Sequence, residues 1–165
     1  MKILPLQEAH YPQIAAIYNE GLATGIASFE TQVPDWNQWN KKFLKVCRYV
    51  VLVGDQVAAW CALSAVSKRA VYQGVAEDTI YVAAKFQKQG LGKKLLEYLI
   101  GESEKAGFWT LQAGIFSENI TSIRLHEKCG FRRIGVREKI AQRNGKWHDN
   151  VLLERRVLLD FTINN

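Results

Sequence analysis

Cysteine and histidine are scarce in this 165-residue chain, with three of each. Cys47, Cys61 and Cys129 lie far apart and are odd in number, which excludes a disulfide framework and a C-x-x-C metal site. They read as small hydrophobes in or near a reduced core. The three histidines are isolated from one another and show no metal-ligand spacing, so no metal is expected. No apolar run approaches the ~20 residues that a membrane-spanning helix needs. The N-terminal Met1-Lys2-Ile3-Leu4-Pro5 is too poor in apolar residues for a signal peptide. Low-complexity tracts and internal repeats are missing as well. These absences together point to a cytoplasmic protein with no membrane partner.

What remains is ordinary globular sequence, 48% hydrophobic and 23% charged, long enough to bury a core as a single domain over residues 1–165. Twenty-two basic residues against 16 acidic ones give a net charge of +6. That balance suits nucleic acid or, equally, a small polyanionic ligand such as a nucleotide-bearing cofactor. The basic residues are scattered apart from Lys41-Lys42, Lys93-Lys94, Arg132-Arg133 and Arg155-Arg156. No arginine-rich tail or RNA-binding aromatic signature accompanies them, so no nucleic-acid partner is expected.

Hydrophobic periodicity divides the chain. Lys2–Leu6 reads as a short strand. Pro12 opens a helix with Ile14, Ile17 and Tyr18 on one face, and Gly21 and Gly25 are expected to end it. Pro34-Asp35 starts a second helix carrying Trp36, Trp39 and Phe43. Tyr49–Val53, a Gly54-Asp55 turn and the alternating Val57, Ala59, Cys61 and Leu63 predict two strands, the second half-buried. Ser64–Tyr72 reads as a loop and Thr79–Val82 as a strand. Leu91, Leu95, Leu96, Leu99 and Ile100 form a helical stripe ending before Gly107. Trp109–Ile115 alternates as a strand, and Ser117–Cys129 predicts a helix stopped by Gly130. Asn144-Gly145 marks a hairpin between the runs Phe131–Gln142 and Trp147–Leu159. The order β-α-α-β-β-β-α-β-α-β-β predicts an α+β fold, a mixed and largely antiparallel sheet flanked by helices.

The stretch Gln87-Lys88-Gln89-Gly90-Leu91-Gly92-Lys93 joins the Ile80-Tyr81-Val82 strand to the helix. Unpaired N–H groups at a helix N-terminus attract phosphate oxygens, and glycines let backbone approach a pyrophosphate closely. A Walker loop is excluded, because Lys94 follows Lys93 where a hydroxyl is needed. A dinucleotide fingerprint is excluded too, because Leu95 stands where a third glycine belongs.

The Q-x-x-G-x-G turn after a Tyr-Val strand resembles the acetyl-CoA signature of the GNAT superfamily of N-acetyltransferases. A second segment, Asn119 to Phe131, is similar to that family's N-x-x-[S/A]-x-x-L-[H/Y]-x-x-x-G-F pattern, and the element order also agrees. Within the superfamily, the chain most resembles the phosphinothricin and methionine sulfone acetyltransferase branch. That likeness rests on Ser28-Phe29-Glu30, on Arg69 and Tyr72, on Glu77–Val82, and on Ala113-Gly114-Ile115. Leu125-His126-Glu127 and the Asn144–Asp149 hairpin add to it. The sequence departs from the branch at Ser67, Ala70-Val71 and Gln73. The resemblance implies the acyl-CoA N-acyltransferase fold, with about seven strands and about four helices. It implies acetyl-CoA as cosubstrate, a small amino-acid-like amine as acceptor, and a homodimer.

An amine attacks a thioester only when neutral, so a base must take its proton. Glu77, just upstream of the cofactor strand, stands at the family position for that base. Asp78 is expected to point to the opposite face. His126 occupies the place where many relatives carry a tyrosine that protonates the leaving thiolate. Ile80, Tyr81 and Val82 would line the pantetheine arm, and the N–H of Tyr81 or Val82 would meet the oxyanion. Gln87, Lys88, Gln89, Gly90, Leu91, Gly92 and Lys93 would hold the pyrophosphate. Asn119, which suits a helix N-cap on its own terms, and Ser122 would add cofactor contacts. Phe29, Glu30, Arg69 and Tyr72 are the expected acceptor-binding residues, with Arg69 able to fork onto a carboxylate or other oxyanion. Alternative acceptors are a protein N-terminus or an antibiotic amine. A CoA-binding sensor without catalysis is the competing class.

Overall fold

Residues 1–157 are described by a computed structural model, in which seven strands and four helices follow the expected order. They are β1 (Lys2–Pro5), α1 (Tyr11–Ala23), α2 (Trp36–Lys42), β2 (Tyr49–Val53), β3 (Gln56–Ala65), β4 (Val75–Val82), α3 (Leu91–Lys105), β5 (Thr110–Phe116), α4 (Ile120–Lys128), β6 (Arg132–Arg143) and β7 (Lys146–Arg156). Leu158 and Leu159, expected to end the last strand, lie outside the described residues.

Local chemistry explains most boundaries. Asp35 caps α2 by accepting from the Gln38 amide at 2.8 Å, and the Gln38 side chain accepts from the Asp35 amide at 3.0 Å. Gly130 stops α4 in a left-handed conformation (φ 88°). Asn144 (φ 49°) and Gly145 (φ 77°) supply the two positive φ angles of a tight hairpin turn. Gly25 (φ 76°) follows the last turn of α1 as expected, but Gly21 does not end the helix, which runs through it to Ala23.

The strands form one sheet in the order β1-β2-β3-β4-β5-β7-β6. All neighbours are antiparallel except β4 and β5, which α3 joins by a crossover. Helices lie on both faces. α1 and α2 cover Trp60, Ala62 and Tyr81, whereas α3 and α4 cover Ala59, Cys61, Leu63, Ile80 and Val82. Consequently every residue from Val57 to Leu63 is buried, where alternation had predicted a half-buried strand. Leu95, Leu96 and Leu99 anchor α3 and are fully buried, each contributing about 1.5–3 kcal/mol. Among the described residues no helix is long and apolar enough to cross a membrane.

Candidate active site

The sheet opens beside β4. Parallel pairing with β5 covers only Val75–Glu77 opposite Thr110–Gln112, yet β4 continues to Val82 and β5 to Phe116. Glu77 is thus the last paired residue before the strands part. The Ala83 amide donates to the Ala58 carbonyl at 2.9 Å on the β3 side. Backbone direction alternates along a strand, so the Tyr81 amide also faces β3, while the Ile80 and Val82 amides face the gap. Of the two expected oxyanion donors, only Val82 turns its amide toward the gap.

Below this gap the chain turns through Lys88 (φ 59°) and Gly90 (φ 78°) into α3. No side chain caps that helix, so its first amides remain available to an anion, and nothing lies within 4 Å of where a Gly90 β-carbon would sit. Lys88 and Gln89 are exposed around the turn, while Leu91 is buried and offers only backbone. Gln87 donates from its side chain to the Val82 carbonyl at 3.2 Å, tying the turn to the strand. Lys93 pairs with Glu97 at 3.4 Å. On the other wall Asn119 caps α4, accepting from the Ser122 amide at 3.2 Å. A splayed strand pair, an uncapped helix N-terminus and bare glycine backbone fit an extended thioester carrying a pyrophosphate.

Glu77 and Asp78 diverge across β4. Glu77 lies on the α1/α2 face, exposed to solvent yet crowded by protein as a group lining a concavity would be. That crowding comes first in raising its carboxyl pKa, with the Asp78 charge second; Arg137 and Lys42 oppose the rise. Asp78 is buried on the α3/α4 face, 2.9 Å from Nε2 of His126, whose Nδ1 lies 2.7 Å from the Ser122 carbonyl. A carbonyl only accepts, so Nδ1 carries a proton, and Nε2–H donates to the carboxylate. Burial works against the imidazolium, but Asp78 and the Ser122 carbonyl outweigh it and hold the His126 pKa above its usual value. His126 is therefore an interior group with both nitrogens engaged, on the opposite face from Glu77.

The expected acceptor residues fall into two groups on the Glu77 face. Phe29 packs on Phe116 with centroids 4.4 Å apart, and both rings approach buried His148. Next to it, Glu30 accepts from the Tyr18 hydroxyl and from Lys42, so its carboxylate anchors the α1–α2 connection. Arg69 stacks on Tyr72, 5.5 Å from the ring centroid, and Tyr72 lines a hollow of about 410 Å³ with Val66, Ser67, Val75, Thr110, Gln112 and Glu154. Gln112 is the cross-strand partner of Glu77, which places this hollow beside the candidate base.

This combination defines an acyl-CoA-dependent transferase, and comparison with known proteins agrees. Residues 13–131 match the Acetyltransferase (GNAT) family, and the chain belongs to it. It is 33% identical to the phosphinothricin N-acetyltransferase of Alcaligenes faecalis, over 87% of this chain and 76% of that one. It is 28% identical to the L-methionine sulfoximine/L-methionine sulfone acetyltransferase of Salmonella typhimurium, over 95% of each. The solved phosphinothricin acetyltransferase of Sinorhizobium meliloti in complex with acetyl-CoA superposes with a TM-score of 0.86 at 26% identity, covering 94% of this chain and 88% of that one. The chain is an acetyl-CoA-dependent N-acetyltransferase.

Sequence reasoning missed Arg137 and Lys42 as charges acting on Glu77. Neither stands in a recognisable motif; Arg137 depends on the strand register and Lys42 on the packing of α2.

Proposed function

We propose that this enzyme acetylates the amino group of a small amino-acid-like acceptor, such as methionine sulfone, methionine sulfoximine or phosphinothricin. Glu77 on the open face, next to the end of β4–β5 pairing, is the observation that carries the reading.

The thioester lies between the parted strands, with pyrophosphate at the Gly90–Lys93 turn. Glu77 takes the acceptor's proton, directly or through a water. The neutral amine attacks the carbonyl carbon, and the Val82 N–H stabilises the oxyanion. The C–S bond then breaks and the CoA thiolate departs, taking up a proton. Phe29 and Tyr72 wall the acceptor side chain, and Arg69 meets an oxyanion at its far end. His126 acts as a positioning group that holds α4, with Asn119 and Ser122, against β4. To protonate the thiolate it must first release one of its two hydrogen bonds.

Three buried, unpaired cysteines accord with a cytoplasmic enzyme. Exposed Ile134, Val136 and Ile140 on edge strand β6, with Trp147 on β7, suit a homodimer that sedimentation would reveal.

An acceptor panel tests the reading. Saturable CoA release with the three named amino acids, and little with an aminoglycoside, a polyamine or a short peptide, is expected. Turnover of the peptide or aminoglycoside alone would replace the acceptor class. Tight acetyl-CoA binding with no turnover of any amine would favour a sensor.

A further inference from the structure

The fold buries Asn150 on β7 and leaves its side chain without a partner. Asn150 is 9% exposed and makes no side-chain hydrogen bond with any described residue, yet its amide is not sealed from solvent. Register puts it on the Glu77 face. Gln112 pairs with Glu77, Phe116 lies four residues further along β5 on the same face, and Phe116 pairs with Asn150. The Asn150 backbone starts two strands and four residues from Glu77, but its side chain leans back over Gly114. Oδ1 comes within 3.1 Å, and Nδ2 within 3.5 Å, of the position that a β-carbon on Gly114 would take. Gly114 follows Gln112 by two residues and is the diagonal neighbour of Glu77, about 7–8 Å from it in a regular sheet. A polar group next to the candidate base therefore fills the space that Gly114 leaves. On the other side of the Glu77–Gln112 pair, Val75 and Thr110 lead into the hollow lined by Tyr72. Glu77 stands between a roomy hollow and a buried amide.

We propose that the Asn150 amide is the carboxylate subsite of the acceptor: Nδ2–H donates to the α-carboxylate while the amino group faces Glu77 and the side chain enters the Tyr72 hollow. The subsite rests on the acceptor class proposed above, and it makes the enzyme selective for α-amino acids over amines lacking a carboxylate. The spacing suits such a head group. Two hydrogen bonds of about 2.9 Å each, with the short reach from nitrogen to carboxylate oxygen between them, span the interval from Glu77 to an amide over Gly114. Glu77 supplies the negative charge that the ammonium needs, so the donor end of the amide is the part left for the carboxylate. A neutral donor also binds the carboxylate without adding a positive charge that would pull the raised Glu77 pKa down. Phe116 opposite Asn150, and Phe29 packed on it, keep the surroundings apolar, where such a bond is stronger than in open water.

The test compares L-methionine sulfone with its decarboxylated amine in the unaltered enzyme, Asn150→Leu and Asn150→Asp. Leucine keeps the branched shape and removes the donor, whereas aspartate keeps the size and sets one carboxylate against another. Asn150→Leu is expected to lose about tenfold or more in kcat/KM on the amino acid relative to the amine, mostly through KM, and Asn150→Asp to lose more. The KM for acetyl-CoA reports an intact fold. Gly114→Ala, which leaves Asn150 in place but crowds its amide, should show the same selective loss. Equal losses on both acceptors, or an aspartate variant as selective as the unaltered enzyme, would overturn the subsite. Calorimetric binding of methionine sulfone with CoA present separates the subsite from the acceptor class. Binding that Asn150→Leu weakens, without turnover, supports the subsite and sinks the acetyl transfer. Turnover of the amino acid that Asn150→Leu leaves unchanged sinks the subsite alone. Failure of the unaltered enzyme to bind the amino acid sinks both.

Discussion

The ring of Tyr81 occupies the space where a β-carbon on Gly21 would stand, with Cε1 only 2.3 Å from that position. Tyr81 cannot give way, because it stacks on Trp60 (5.1 Å, 17°) and tilts against Tyr18 (4.9 Å). A glycine in the last turn of α1 thus lets the helix lie close to β4, beside the strand segment proposed to hold the thioester.

Gly21→Ala should therefore destabilise the protein, although alanine is the better helix former. Its propensity gain is about 1 kcal/mol, whereas overpacking a filled site costs about 1–3 kcal/mol. Chemical denaturation measures the sum. A displaced Tyr81 should also raise the KM for acetyl-CoA.

Glu77→Gln should lower kcat by about 10²-fold or more while leaving the KM for acetyl-CoA nearly unchanged. In the unaltered enzyme kcat/KM should fall as pH drops through an ionisation lying above the ordinary glutamate range, because crowding by protein and the Asp78 charge raise that pKa. Protonated Glu77 cannot accept the amine's proton, so activity is lost on the acid side. A profile that keeps this limb in Glu77→Gln would assign the ionisation elsewhere.

Asp78→Asn should destabilise the fold by about 3–5 kcal/mol at low pH, since it strands a buried imidazolium. The His126 pKa is raised in the folded protein, so the pair's contribution is complete below the unfolded value of about 6.5 and fades as pH rises through the folded value. The gap between the two proteins should accordingly narrow with increasing pH. Denaturation midpoints across a pH series check this, and a pH-independent gap would count against the charged pair.

Gly90→Ala should weaken acetyl-CoA binding. A non-glycine residue at φ 78° costs about 1–2 kcal/mol, although the site has room for the methyl group. A turn that relaxes away from this conformation takes the α3 amides out of line. Calorimetry with CoA should show the loss, while acceptor KM stays nearly constant at saturating acetyl-CoA.

Much of this was legible in the sequence because it depends on local chemistry. The helix start at Pro34-Asp35, the Gly90 turn and the Asn144-Gly145 hairpin each require particular residues at fixed spacing. Long-range contacts were not legible. Gly21 read as a helix terminator because Tyr81, 60 positions later, fills its missing side chain. β3 read as half-buried because its even-numbered residues include Ala62, whose small side chain does not reveal that the α1/α2 layer covers it. The partner of His126 lies 48 residues upstream, and the divergence of Glu77 and Asp78 follows from strand alternation, but which side is open depends on where the helices pack. Arg137 looked like surface charge because nothing local marks the register that places it on the Glu77 face of the sheet.

The central claim is that this chain moves an acetyl group from acetyl-CoA to the amino nitrogen of an amino-acid-like acceptor. Mass spectrometry of a reaction containing only the purified enzyme, acetyl-CoA and L-methionine sulfone tests it most directly. The account predicts N-acetylmethionine sulfone formed in equal amount with free CoA, in catalytic excess over enzyme and greatly reduced by Glu77→Gln. Free CoA without acetylated acceptor, or acetylated product that Glu77→Gln makes equally fast, would contradict it.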